Sequence, residues 1–306
     1  VWGQVIGGMG AISESIARSA EAAGATVRTE SDVARINVHD GVVVGVTLAG
    51  GEEVRAPIVA SGAHPKSTIL DLVGSREFPD EVVTDIERYR SRGGSVKVNL
   101  VLSEAPRYDN VTPEEQQFLM KTGVSICPSI DYLEASWQDA VAGRPATLPY
   151  VEAELPSAVD STLTDDDRWI MTMFTQYGPS EDSQWKDGDR ERYGATCIDQ
   201  LARFAPGFRD SVLEHEVLAP PDLERIFGLQ GGSIFQGEQG MNQMAFMRPT
   251  PDMAQYSTPV AGLYLCGAGT HPGGGVTAAS GHNAARKILK DRRKSRLPWK
   301  RRSRAG

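Results

Sequence analysis

The residues best suited to chemistry lie near the end of the chain. Gly262-Leu263-Tyr264-Leu265-Cys266 reads as a short apolar strand, and Gly267-Ala268-Gly269-Thr270-His271-Pro272-Gly273-Gly274-Gly275-Val276 as a glycine-rich loop. Thr277-Ala278-Ala279-Ser280-Gly281-His282-Asn283-Ala284-Ala285 then reads as a small-residue helix. Glycine lets backbone approach a ligand closely, and a helix start offers unpaired N–H groups and a positive dipole end. Such a site suits an anion or an electron-rich ring edge. A strand-to-helix connection without a ligand uses the same residue types, but this loop is longer and more particular than a plain connection. Histidine titrates near neutrality, so His271 is a candidate acid or base, with a loop-capping role as the structural alternative.

The elements that must position this loop come partly from the other end of the chain. Gly7-Gly8-Met9-Gly10 precedes a helix with apolar positions Ile12, Ile16, Ala17, Ala20 and Ala23, stopped by Gly24. Ala25–Thr29, Val33–Val38 and Val42–Leu48 read as strands, with Asp40-Gly41 as a hairpin turn between the last two. Further on, Ser67–Val73 and Glu81–Arg90 read as helices, and Ser95–Leu102 alternates as a strand. Trp169–Tyr177 is a second strong strand, whose Met171, Met173 and Phe174 could wall an apolar ligand or pack a core. Glu181–Phe204 reads as mostly helix, interrupted by Gly188 and Gly194 and stopped by Pro206-Gly207.

Taken whole, the loop resembles the C-terminal flavin-binding signature of phytoene-desaturase-like flavoproteins, within the amine-oxidase and glutathione-reductase superfamily. Leu229-Gln230-Gly231-Gly232-Ser233-Ile234-Phe235, Phe246-Met247-Arg248-Pro249 and Gly274 look most like the branch called pyridine nucleotide-disulfide oxidoreductase domain-containing protein 2. The resemblance implies an α/β fold: a partial, Rossmann-like FAD-binding domain from residues 1–64 and 257–306, and an inserted sheet-plus-helix substrate domain over 65–256. It implies FAD as cofactor, held by Val33, Gly267, Ala268, Gly269, Thr270, His271, Gly274, Gly275 and Val276. Val33 falls where the family holds adenine through backbone atoms, Ile58–Pro65 matches the return strand toward the flavin, and His271 is the candidate catalytic group. The positive helix end is expected near Val276.

The family begins with a βαβ unit carrying Gly-x-Gly-x-x-Gly and an acidic residue about twenty positions later. No such unit occurs near Val1, and Gly267-Ala268-Gly269 runs into a proline-containing loop instead. The chain therefore reads as the C-terminal part of a longer polypeptide, needing its N-terminal segment as partner, and inactive alone. The expected activity is hydride transfer from a small apolar or isoprenoid-like substrate to FAD. Carotenoid desaturation or isomerisation is the neighbouring alternative, and a non-catalytic binding or assembly module is the alternative from another class.

Composition fits this reading. The 306 residues are 40% hydrophobic, enough for a sizeable core, and no stretch reads as a signal peptide or membrane span. Cys127, Cys197 and Cys266 are widely spaced, without Cys-x-x-Cys, so neither a redox disulfide nor a zinc site is expected. Thr164-Asp165-Asp166-Asp167 lacks the spacing of a calcium loop, so no metal is expected. Residues 286–306 hold eleven basic side chains against Asp291, a net +10, leaving about −18 on the rest of a chain at −8. This tail is either a solvated helix end or an electrostatic attachment to an anionic membrane surface, helped by Leu297 and Trp299. The acidic body argues against nucleic acid. A cytoplasmic location is expected, with peripheral membrane contact as the second reading.

Overall fold

The structure, a computed structural model, describes residues 3–164 and 166–296, with side chains through residue 293. Val1, Asp165, Leu297 and Trp299, invoked above, lie outside the described residues. Along the chain come α1 (Gly10–Ala22), β1 (Val33–His39), β2 (Val42–Leu48), β3 (Glu53–Arg55), β4 (Val59–Ser61) and α2 (Asp80–Arg88). Then follow β5 (Ser95–Leu102), α3 (Pro113–Thr122), β6 (Val124–Ile126), α4 (Ile130–Val141), β7 (Tyr150–Glu154) and β8 (Trp169–Gln176). The remainder is α5 (Asp189–Ala202), α6 (Phe208–Ser211), β9 (Val212–Leu218), α7 (Pro220–Phe227), β10 (Leu263–Leu265) and α8 (Ala279–Arg296).

The chain packs as two compact units, Val1–Val27 with Ser91–Ile234 and Arg28–Arg90 with Phe235–Gly306. These are units of packing; the division expected at 64/65 and 256/257 concerns cofactor and substrate roles.

The first unit is built on an antiparallel sheet of order β6-β7-β8-β5-β9. Strict alternation in β5 sends Val96, Val98, Leu100 and Leu102 to one face, where all are buried. Register then sets Met171 opposite Leu100 and Met173 opposite Val98. Tyr193, Cys197, Ile198 and Leu201 of α5 join the same core. A polar seam in it is closed internally, because Tyr193 donates to Thr175 Oγ1 and Thr175 donates to the Val96 carbonyl. Met171 and Met173 are therefore core residues, and no wall for an apolar ligand forms from them. Phe174 points to the other face, opposite Lys97 and Glu152. That face is polar: Lys97 donates to Thr172 at 2.7 Å, Thr172 to Asn99 at 3.2 Å, and Asn99 to Glu216 at 3.1 Å.

The second unit contains the meander β1-β2-β3 and the parallel pair β4-β10. Asp40 and Gly41 take φ of 50° and 71°, the two left-handed positions of a tight hairpin turn whose twist matches the strands. Ile36, Val43, Ile69, Ile86, Met253, Leu263 and Leu265 form its core. The Val43 N–H donates to the Ala261 carbonyl, joining the hairpin to the segment that leads into β10.

Three expected elements differ. Ala25–Thr29 forms no strand, and among the described residues it takes part in no β-ladder. The helix expected from Glu181 begins at Asp189, because Gly188 has φ +75°, which breaks helical backbone. Helix α8 begins at Ala279, beyond Val276, because Ala278 has φ +55°. Among the described residues no helix is long and apolar enough to cross a membrane.

The two faces of β8 are separable by mutation. Met173→Ala should cost about 2–5 kcal/mol of unfolding free energy in urea titration, as core truncations do, and Phe174→Ala less than half as much. Equal losses would contradict the assignment of faces.

Candidate functional site

The glycine loop sits wholly in the second unit, between β10 and α8. Its first half is shaped by close backbone packing. A Cβ on Gly267 would come 2.4 Å from the Gly62 carbonyl oxygen, and one on Gly269 would come 2.4 Å from Pro65. A Cβ on Gly274 would strike the Phe235 ring at 2.1 Å. These glycines are thus required by protein-to-protein approach, where the sequence alone suggested approach to a ligand. Thr270 is buried, and its hydroxyl donates to the Gly267 carbonyl at 2.8 Å, closing the turn that contains Ala268.

Arg248 holds this turn from behind. It is 1% exposed, and its guanidinium donates to five carbonyls, those of Phe235, Gly237, Glu238, Gln243 and Ala268. Burial lowers the guanidinium pKa, but arginine keeps its proton in proteins, and here carbonyl dipoles replace the water it has lost. Arg248 also lies over the Tyr89 ring at 6.0 Å, within cation–π range. Gln236 completes the clamp: its amide donates to the Gly62 carbonyl and its Oε1 accepts from the Gly269 N–H, both at 3.0 Å. The Phe246–Pro249 motif marked this arginine in the sequence, yet nothing in its spacing gave it this task.

Behind Gln236 lies a buried aromatic pair. Tyr89 donates to the Gln236 carbonyl at 3.0 Å, and its ring packs on His64 at 5.7 Å. His64 is 2% exposed and accepts the Lys66 N–H on Nδ1. Burial foremost, then the charges of Lys66 and Arg248, lower its pKa to about 4, so it is neutral near pH 7. Burial raises the Tyr89 phenol to about 12.

The second half of the loop faces outward. Residues 275–278 are exposed, and a Cβ on Gly275 would meet only Thr277 Cγ2, at 3.9 Å. Among the described residues, the N–H groups of Gly274, Gly275, Val276 and Ala278 have no protein acceptor. These donors lie just ahead of the positive end of α8, which starts at Ala279 and so beyond the expected place at Val276. His271 is exposed while its carbonyl is anchored, accepting from Tyr256 at 2.9 Å and from Ser280 at 3.4 Å. Asn283 donates in turn to the Tyr256 hydroxyl.

Val33 opens β1 opposite Leu48. The parallel bridge Val42–Ala261 makes β2 run the same way as the segment entering β10, so Val33 lies at the strand end where the chain leaves for the loop. Gly267 to Val276 are contiguous in the chain, whereas Val33 shares with them only the direction in which the strands run. Among the described residues no group of three or more His, Cys, Asp or Glu is placed to hold a metal ion.

The family described as flavin containing amine oxidoreductase matches residues 2–289. The chain is 39% identical over 298 residues to a Rattus norvegicus protein named pyridine nucleotide-disulfide oxidoreductase domain-containing protein 2, covering 95% of this chain and 51% of that one. It is 26% identical over 279 residues to a phytoene desaturase (neurosporene-forming) of Cereibacter sphaeroides, covering 90% and 51%. An oxidoreductase from Methanosarcina mazei aligns with TM-score 0.58 at 15% identity, covering 93% of this chain and 55% of its own, a likeness of fold. A putrescine oxidase triple mutant aligns at 0.53 and 15%, covering 94% and 53%. The chain spans about half the length of the curated relatives it matches.

Two measurements check the buried machinery. Arg248→Met should cost about 3–5 kcal/mol in chemical denaturation, because five carbonyls lose a charged donor, and Arg248→Lys about half that. A loss under about 1 kcal/mol for Arg248→Met would show that water replaces it. For His64, the folded pKa lies near 4 and the unfolded one near 6.5, so the unfolded state binds the extra proton between them and stability falls as pH drops through that window. His64→Gln should remove about 2 kcal/mol of the stability difference between about pH 7 and 5. An unchanged difference would mean that His64 is protonated in the fold.

Proposed function

Because the chain belongs to the flavin containing amine oxidoreductase family, we propose that it forms the C-terminal part of an FAD-dependent oxidoreductase of the dehydrogenase or desaturase type. The observation that carries this reading is the outward run of unpaired N–H donors, Gly274 to Val276 and Ala278, ahead of α8. A donor row beside a positive helix end fits the polar, electron-rich edge of a flavin. Bound FAD would accept a hydride equivalent from a substrate C–H bond.

The chain's own residues would bind and orient. Gly267 to Thr270 would present a backbone edge held still by Arg248 and Gln236, and the N–H groups from Gly274 onward would favour negative charge on the bound ring. Val33 would meet the adenine end through its backbone. His271 would hold or move a proton from its exposed position on the loop. The dinucleotide fingerprint would come from a further N-terminal segment of the same polypeptide, a reading supported by relatives about twice as long.

An apolar, isoprenoid-like substrate is supported by the names of two relatives, the phytoene desaturase above and a prolycopene isomerase of Daucus carota at 24% identity. Carotenoid desaturation is the narrower form of the same reading, resting on these low identities.

The test is visible absorption of the purified polypeptide, produced at the full length its gene encodes and as the 306-residue chain. Flavin bands should appear in the longer protein and be weak or missing in the shorter. Val276→Asp, at an exposed position, should lower flavin content more than about tenfold without unfolding the protein, by setting a carboxylate among the N–H donors. Undiminished bands in that variant, or no bands in either wild-type protein, would count against the reading. With flavin retained, His271→Gln should slow turnover more than about tenfold if the imidazole transfers a proton.

A further inference from the structure

Helix α8 carries a feature that the glycine loop does not use. Arg286, Lys290 and Arg293 follow at helical spacing, which sets them on one side of the helix, and all three are exposed. With Tyr256 and Asn283 they line an open groove of about 680 Å³. Among the described residues none of these three cations has a carboxylate partner, whereas neighbouring Lys287 is paired with Asp291 at 2.6 Å. Leu289 stands at the rim of the same groove, 54% exposed.

Three unpaired cations on one side of a helix repel one another and weaken it, as like charges at this spacing do. Leaving a large aliphatic side chain among them adds exposed apolar surface. The combination is expected where an opposite charge and an apolar layer are met together, as at the surface of an anionic bilayer. The sequence continues the pattern, since Lys294, Arg296, Leu297, Trp299, Lys300, Arg301, Arg302 and Arg304 again mix cations with large apolar residues. Tryptophan is favoured at headgroup depth, and each basic residue near an anionic surface strengthens attachment. The remainder of the chain, at about −18, would be repelled by the same surface, so attachment would occur with this helix foremost.

We propose that the side of α8 bearing Arg286, Leu289, Lys290 and Arg293 is a docking surface for an anionic lipid membrane. The occupant is the lipid surface, and the recognised chemistry is phosphate headgroups beside acyl chains. A nucleic acid would supply the charge but nothing for Leu289 to enter. The proposal is independent of flavin binding, so either can fail without the other.

The experiment is cosedimentation of the full chain with vesicles of phosphatidylcholine alone, or of phosphatidylcholine with about one third phosphatidylglycerol, at low and at physiological salt. Binding is expected to the second kind only and to weaken with salt. Replacing Arg286, Lys290 and Arg293 together by Gln should lower the partition coefficient by about two orders of magnitude, and Leu289→Ser by several-fold. Replacing the exposed cations Arg18, Arg107 and Lys121 by Gln should leave it within about twofold, with circular dichroism confirming that each variant is folded. Four results would overturn the proposal: no binding to anionic vesicles, equal binding to phosphatidylcholine alone, full retention in the Arg286, Lys290 and Arg293 variant, or tighter binding to duplex DNA than to the anionic vesicles at equal charge and ionic strength.

Discussion

The buried guanidinium of Arg248 is the interaction on which the candidate site depends. A loop of glycine, alanine and threonine has almost no side-chain surface to bury, so hydrophobic packing cannot fix its shape. Its stability must come from backbone groups, and these need partners once water is excluded. One arginine, with its rigid fork of donors, serves five carbonyls from residues 235 to 268 and brings two distant stretches of chain to a common point. Gln236 repeats the device with one acceptor and one donor, across Gly62 and Gly269. The outward N–H groups at Gly274 to Ala278 are left for a ligand because the inward half is satisfied in this way.

The cost of the arrangement is a polar interior. His64, Tyr89 and Arg248 pack where an apolar core would ordinarily be, and burial moves the ionisation of His64 and Tyr89 away from the physiological range while lowering that of Arg248, which stays charged. His64 is held neutral and Tyr89 protonated, so the cluster carries the single positive charge of Arg248, which the carbonyl dipoles absorb. Such a cluster is rigid near neutrality and weakened by acid, through the proton that His64 cannot accept while folded.

The five-stranded sheet follows a different economy. One face is a hydrophobic layer closed by α5; the other is the hydrogen-bonded row Lys97, Thr172, Asn99 and Glu216. Lys97 has its pKa lowered by burial despite this company, with Glu154 opposing the shift. Alternation in Ser95–Leu102 and Trp169–Gln176 makes both faces at once, so the strands were legible in sequence before either face had a known neighbour.

Local chemistry was enough for the elements whose cause is local. The Asp40-Gly41 turn, the alternating strand Ser95–Leu102, the strand beginning at Trp169, the stop at Gly24 and the glycine loop between an apolar strand and a small-residue helix all follow from residue type and spacing. The family resemblance rests on that loop, and the match over residues 2–289 agrees with it. Tertiary structure alone decided what depends on distant partners. Period-two alternation places Met171 and Met173 on one face and Phe174 on the other, but only the neighbours in α5 make the first face the core. Gly267, Gly269 and Gly274 announce close approach, but only the fold shows that Gly62, Pro65 and Phe235 are what they approach. Arg248 could be read as a surface cation until folding surrounded it with carbonyls, because hydrogen bonds from one side chain to scattered loop carbonyls leave no periodic trace in sequence.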